Sequence, residues 1–176
     1  MGDSRNAFKC LLTAAQSGDT WGQVNLGSSY ASGTGVRRSL RKAAYWYKKA
    51  YNNGNSWGSL NLAIDRTNQG RIRSAVIWFK KAAEMNDGAA FLELAKIYKA
   101  RKGGKKAAAS LLRRALRMGR DDISYDAREE VESLLKEITK LQEHSGTRSP
   151  RTKLFATTAD GLTPVLCTST YESRLV

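Results

Sequence analysis

The sequence predicts an all-α fold, a solenoid of stacked antiparallel helix pairs closed by a C-terminal helix. Three observations carry this. Gly18, Trp21, Gly22, Asn25 and Leu26 recur 36 residues later as Gly54, Trp57, Gly58, Asn61 and Leu62. A self-similarity of that period marks a supersecondary unit that stacks on copies of itself because it cannot bury its apolar face alone. Within each copy apolar residues return at three- and four-residue steps, the period of a helix, and glycine or asparagine separates one run from the next.

The elements follow in order. From Asn6 to Ser17, Ala7, Phe8, Leu11, Leu12 and Ala15 mark an amphipathic helix. Its Ala7 and Ala14 stand 36 residues before Ala43 and Ala50, so it is half a unit, in register with a second helix. After the break at Gly18-Asp19, Gly22, Leu26 and Tyr30 make one stripe on a first (A) helix, Trp21 to Ser32. Gly33-Thr-Gly-Val36 is the turn, and a second (B) helix runs from Leu40 to a cap at Asn53-Gly54. The next A helix carries Trp57, Gly58 and Leu62, turns at Asn68-Gln-Gly70, and leads into a B helix from Ser74 to Ala83. A third pair runs from Gly88 through Phe91, Leu94 and Tyr98, turns at Lys102-Gly-Gly104, and continues from Ala107 to Arg117. Equivalent residues Lys49, Lys81 and Arg114 are 32 and then 33 residues apart, so the later turns are shortened.

These residues resemble the Sel-one-like repeat, a relative of the tetratricopeptide repeat. The small residue, Leu-Gly and Tyr of that family's A helix correspond to Gly22, Leu26-Gly27 and Tyr30. Its Gly-x-Gly-Val turn corresponds to Gly33-Thr-Gly35-Val36, and its B-helix signature to Lys42-Ala43, Trp46-Tyr47 and Lys49-Ala50. The second unit departs from the pattern at Ala63 and Arg66, and the third has Leu111 in place of the B-helix Trp. The resemblance implies a right-handed α-solenoid, core roles for Trp46 and Trp78, and a concave surface of A helices on which such relatives bind partners.

Beyond Met118-Gly119, Asp121, Asp122 and Ser124 offer helix-start groups. Ala127, Val131, Leu134, Ile138 and Leu141 then share one face of a closing helix. Its expected role is to cap the solenoid with a polar outer surface; the alternative is a dimer seam. The domain is therefore expected over residues 1–143. Residues 144–176, rich in Ser, Thr, Gly, Arg and Pro, are expected to form a disordered or loosely docked tail.

With 176 residues, 41% of them apolar, the chain is long enough for one domain with its own core. Met1 to Asn6 lacks a signal-like apolar run, Asn6 stands where a myristoylation motif wants Ser or Thr, and no stretch reaches the roughly 18 apolar residues of a membrane span. A cytoplasmic location is the expectation. Cys10 and Cys167 are too far apart in sequence to suggest a disulfide framework or a metal cluster.

Nothing in the chain suggests catalysis. One histidine, His144, begins the tail, and the carboxylates near residue 121 and at Glu129-Glu130 are explained by a helix start. Gly103-Gly-Lys-Lys106 lacks the earlier glycine, the preceding strand and the Ser or Thr of a phosphate-binding loop. We expect no enzyme activity and no cofactor.

Surfaces remain. The net charge is +14, and residues 37–120 hold 21 Lys and Arg against four acids. Lys48-Lys49, Lys80-Lys81 and Arg113-Arg114 recur on the B helices, where aliphatic stems packed on a neighbour account for them. Arg37, Arg38, Arg41, Lys42, Arg71, Arg73, Arg101, Lys102, Lys105 and Lys106 lie in or beside the A-to-B turns, and stacking would gather them on one basic edge. Trp21 and Trp57 either anchor a partner or pack on each other or on a B helix as core. The face they begin continues through Asn25, Asn61, Glu93 and Lys96.

The expected function is a non-catalytic adaptor or scaffold. It would bind a protein or peptide, most simply an acidic one, through Trp21, Asn25, Trp57, Asn61, Glu93 and Lys96 and the basic edge. The alternatives are nucleic-acid binding along that edge, against which the outward faces lack interleaved Phe or Tyr, and occlusion of an acidic partner by an inhibitor or immunity-type protein.

Overall fold

The computed structural model describes residues 2–119 and 123–146, and among these it contains eight helices and no strand. They are α1 (Gly2–Gln16), α2 (Thr20–Ser32), α3 (Leu40–Asn52), α4 (Ser56–Asn68), α5 (Ile72–Glu84), α6 (Gly88–Lys99), α7 (Lys105–Leu116) and α8 (Tyr125–Gly146). Each helix packs on the next, α4 also reaches α2, and α8 reaches α6. This is the expected array of antiparallel pairs, with α2, α4 and α6 as A helices and α3, α5 and α7 as B helices. Helix α1 fills a B position. Helix α8 lies on α7 and α6 as α4 lies on α3 and α2, so it closes the array from an A-helix slot. Asp121, Asp122 and residues 147–176 of the expected tail lie outside the described residues; the closing helix continues through residue 144 to Gly146.

The A helices start alike. An Asx residue caps each, accepting backbone N–H groups that would otherwise lack partners. Asp19 accepts from Trp21 and Gly22, Asn55 from Trp57, and Asp87 from Ala90, at 2.9–3.2 Å. The residue before each cap is left-handed: Gly18 at φ 98°, Gly54 at 86°, and Asn86 at 59°, asparagine being the side chain that best tolerates that region after glycine. The caps also join neighbouring repeats. Asn55 Nδ2 donates to Thr20 Oγ1 at 3.2 Å, and Ser56 Oγ donates to Asp87 Oδ2 at 3.0 Å. A cap on one A helix is thus bonded to the first residue of the A helix before it.

Small residues set the helix spacing. Ala43, Ala75 and Ala108 occupy one B-helix position and Ala50, Ala82 and Ala115 another, and all six are fully buried. Leu26, Leu62 and Leu94 fill the matching A-helix position, and Val131 of α8 is buried one repeat further on. At Gly58 the backbones nearly touch: a Cβ there would meet the Tyr47 carbonyl oxygen and lie 2.7 Å from the Tyr51 amide nitrogen. Two apolar clusters result, one over α1–α4 and one over α4–α8, and Trp78 packs against both.

Burial is also what perturbs Asp87. Loss of solvent pushes its carboxyl above the ordinary 3.8, and hydrogen bonds from Ala90, Ser56 and Ala89 only partly offset this. Ionised Asp87 therefore carries a desolvation penalty that is present above its folded-state pKa. The penalty is relieved as pH falls through the window down to the unfolded value.

Two consequences are measurable by urea unfolding. Gly58→Ala should lower stability by about 1–3 kcal/mol, because the atoms a methyl would strike are backbone and cannot rotate away. Asp87→Asn, which copies the Asn55 cap, should match or exceed the native stability at pH 7, with the difference shrinking towards pH 4. Asp87→Ala should cost about 1 kcal/mol through the lost cap.

Candidate functional site

The repeat places Trp21 and Trp57 one residue before the small residue of their helices, and the stacking of α4 on α2 brings the two rings together. Their centroids are 5.7 Å apart and the planes meet at 53°. The pair nevertheless stays open, Trp21 being 53% exposed and Trp57 49%. Exposure and mutual packing thus coexist in one pair. Exposed Asn25, half-buried Asn61 and partly exposed Ile64 continue the same faces of α2 and α4. The third repeat carries Ala89 at the tryptophan position, so the aromatic surface stops after two units.

Glu93 and Lys96 are occupied differently. Lys96 Nζ lies 2.8 Å from both Glu93 Oε1 and Glu130 Oε1, bridging α6 to α8. Burial disfavours its charge, but the two carboxylates outweigh that and hold its pKa above the usual lysine value. A second pair, Lys99 with Glu137, joins the same helices. The charges of Glu93 and Lys96 thus fasten the closing helix.

Arg37 and Arg38 lie in the α2–α3 connection, Arg41 and Lys42 in the first turn of α3, Arg71 and Arg73 at the start of α5, and Arg101 to Lys106 at the start of α7. All are exposed. The three B helices run the same way, so their positive dipole ends fall on one side of the array, where these cations also sit. Cations in a helix's first turn are unfavourable by about 0.3–1 kcal/mol each, and no acid occupies the first turn of α3, α5 or α7. Ser39 caps α3, but α5 and α7 begin at Arg71 and Gly104 without a side-chain cap. Half-buried Asp65 is the acid that interacts with Arg66 and Arg38; burial raises its pKa and the two guanidinium groups oppose the rise.

The recurring B-helix pairs have a structural role. Lys81 Nζ sits 4.3 Å from the Trp78 ring and 5.1 Å from Tyr51, Lys48 5.7 Å from Trp78, Lys49 5.0 Å from Trp46, and the Arg114 guanidinium 4.9 Å from Phe91. Their charges lie over aromatic faces. Trp46 is buried, as the resemblance implies; Trp78 is partly buried, between these cations and the edge of Tyr51.

One feature departs from the sequence reading. The outward faces were expected to lack tyrosine, yet Tyr45 is 60% exposed on α3. It stands beside a groove of about 590 Å³ between α3 and the α4–α5 connection. The signal was present: Tyr45, Ile77 and Ser110 share one B-helix position, outside the buried alanine stripes.

Among the described residues no group of three His, Cys, Asp or Glu is arranged to hold a metal ion, and no helix is long and apolar enough to cross a membrane. Cys10 is exposed and unpaired with sulfur.

Comparison with known proteins agrees with this architecture. The family model described as Sel1 repeat matches residues 2–19, 22–55 and 69–87, which correspond to α1, the α2–α3 pair and α5. A putative sel1-like repeat-containing protein, L21 of Acanthamoeba polyphaga mimivirus, is 31% identical over 70 residues, or 40% of this chain; the match spans 13% of that curated relative. Among solved structures, a Sel1 repeat protein from Oxalobacter formigenes superposes with a TM-score of 0.57 at 21% identity, over 78% of this chain and 64% of that one. The antigen c5321 of uropathogenic Escherichia coli, which displays an SLR fold, gives 0.57 at 19% identity over 78% and 34%. The residue pattern, the stacked helix pairs and these matches coincide: the chain carries Sel1-like repeats over residues 2–19, 22–55 and 69–87.

Proposed function

We propose that this chain is a non-catalytic protein-interaction module, an adaptor that binds a partner on the face formed by its A helices. Sel1-type repeats generally serve as protein-interaction scaffolds, and the observation that carries the reading here is the Trp21–Trp57 pair. Two indoles held 5.7 Å apart and about half open offer a large, rigid apolar surface at little further entropic cost. Asn25 and Asn61 flank the rings with amide groups able to donate and accept hydrogen bonds, the polar surround that a buried aromatic anchor needs. Glu93 and Lys96 form the margin of this face as an ion pair already made. If the array curves as relatives do, the face is its concave side. The cations at the B-helix starts add a basic edge that steers acidic partners and raises their association rate.

The same cations favour one second reading, nucleic-acid binding along that edge. Salt separates the two: phosphate contacts make affinity fall steeply and linearly on a logarithmic salt scale, whereas an indole-anchored protein contact should change much less.

Trp21→Ala combined with Trp57→Ala should abolish capture of the partners that the native chain retains in affinity purification, with the far-ultraviolet circular dichroism unchanged because both rings are half exposed. Recovery of the same partners in the same amounts would refute the tryptophan face as the binding site.

A further inference from the structure

The groove between α3 and the α4–α5 connection combines three properties. Its walls are cationic, with Arg41 and Lys48 on α3 facing Arg66 and Arg71 on the other side. Leu40, Ala44 and the exposed ring of Tyr45 give it an apolar side. Tyr45 meets Trp46 edge to face, with centroids 5.2 Å apart and planes at 81°, a contact that restrains the exposed ring.

The backbone adds to the positive potential. Leu40 and Arg41 open α3, and Arg71 occupies the cap position of α5, so the positive ends of two helices adjoin the groove. At α5 the local rules are broken together: an arginine replaces the capping acceptor, its side chain makes no cap bond, and Arg73 follows in the first turn. Such inconsistency is expected where a site serves something other than stability. None of the four wall cations makes a salt bridge among the described residues; Arg66 interacts with half-buried Asp65 and donates to Gln69 Oε1 at 3.1 Å, and Lys48 lies over Trp78.

We propose that this groove docks an acidic peptide segment of a partner protein, its carboxylates paired with Arg41, Arg66 and Arg71 and an apolar side chain laid on Tyr45. Guanidinium forks suit carboxylates, and the wall is complementary in charge to such a segment. A polynucleotide fits less well. Base stacking needs a repeated aromatic platform, and the residues equivalent to Tyr45 in the next two B helices are Ile77 and Ser110. The chain's own residues 147–176 fit no better, since they carry Arg148, Arg151, Lys153 and Arg174 against Asp160 and Glu172. The proposal rests on the basic-edge part of the function above and is independent of the tryptophan face.

The test uses the full chain and a fluorescein-labelled Glu-Glu-Leu-Glu-Glu peptide, followed by fluorescence anisotropy at low salt. Saturable binding is expected, weakened about tenfold or more by Arg41→Ala with Arg71→Ala, about threefold by Tyr45→Ala, and unaffected by Trp21→Ala with Trp57→Ala. Arg71→Asp should weaken binding while raising the melting temperature, because it supplies a cap and removes a cation from the dipole's positive end. A loss of binding there cannot come from unfolding.

Several outcomes would overturn the groove: no binding, equal weakening by Lys105→Ala with Lys106→Ala, equal affinity for a Glu-Glu-Gly-Glu-Glu peptide, or tighter binding of a charge-matched single-stranded oligonucleotide lost in the same variants. If neither the Arg41 and Arg71 pair nor the Lys105 and Lys106 pair affects capture of cellular partners, the basic-edge reading falls as well. If only the lysine pair matters, the edge stands and the groove alone is rejected.

Discussion

Close approach of helix backbones at small side chains is the constraint on which this molecule is built. A B helix must receive its own A helix on one side and the next repeat's A helix on the other, and a flank of large side chains would prevent it. Six fully buried alanines at two recurring positions and the contact of Gly58 with the α3 backbone meet that requirement. Larger residues, Phe79, Phe91 and Leu112 among them, then fill the core away from these positions. Trp78 illustrates this: too large for the alanine stripe, it lies where both apolar clusters meet and takes two lysines over its ring.

The surfaces proposed for binding follow from the same geometry. Parallel B helices place three positive dipole ends on one side, and the turn residues that precede them are arginine and lysine. Tight stacking of α4 on α2 sets two tryptophans side by side, at a separation that neither helix determines alone. The last described helix, α8, fills an A-type slot, and Lys96 and Lys99 fasten it through Glu130 and Glu137. Charge thus has three distinct uses in this chain: ion pairs that hold the closing helix, cations over rings that join repeats, and a group of exposed cations at the B-helix starts, of which Arg38 interacts with Asp65.

Much of this was legible in the residues. The helix positions, the half unit at the start, the shortened turns and the closing helix follow from a period and from punctuation, both local in sequence. The recurrence of the B-helix basic pairs was also legible, but the rings beneath Lys48 and Arg114, Trp78 and Phe91, belong to other helices and were not. Nor was the ion pairing of Lys96. It depends on Glu130, which lies 34 residues further on, across a connection that the repeat pattern does not cover. Tyr45 was masked for a different reason: it adjoins the Trp46-Tyr47 signature, and three aromatics in a row hide which one faces outward.

The sequence by itself determined the architecture, because a repeat that cannot bury its own apolar face has one way to satisfy it, by stacking in register. It also determined the charge of the chain and where along it that charge is concentrated. Only the tertiary structure decided that Trp21 and Trp57 are at once paired and open, that Glu93 and Lys96 are tied to the closing helix, and that Arg41, Tyr45, Arg66 and Arg71 share one groove. Each of these depends on side chains of different helices meeting, and their separation is set by backbone spacing and helix rotation, which residue identity constrains only through the packed whole.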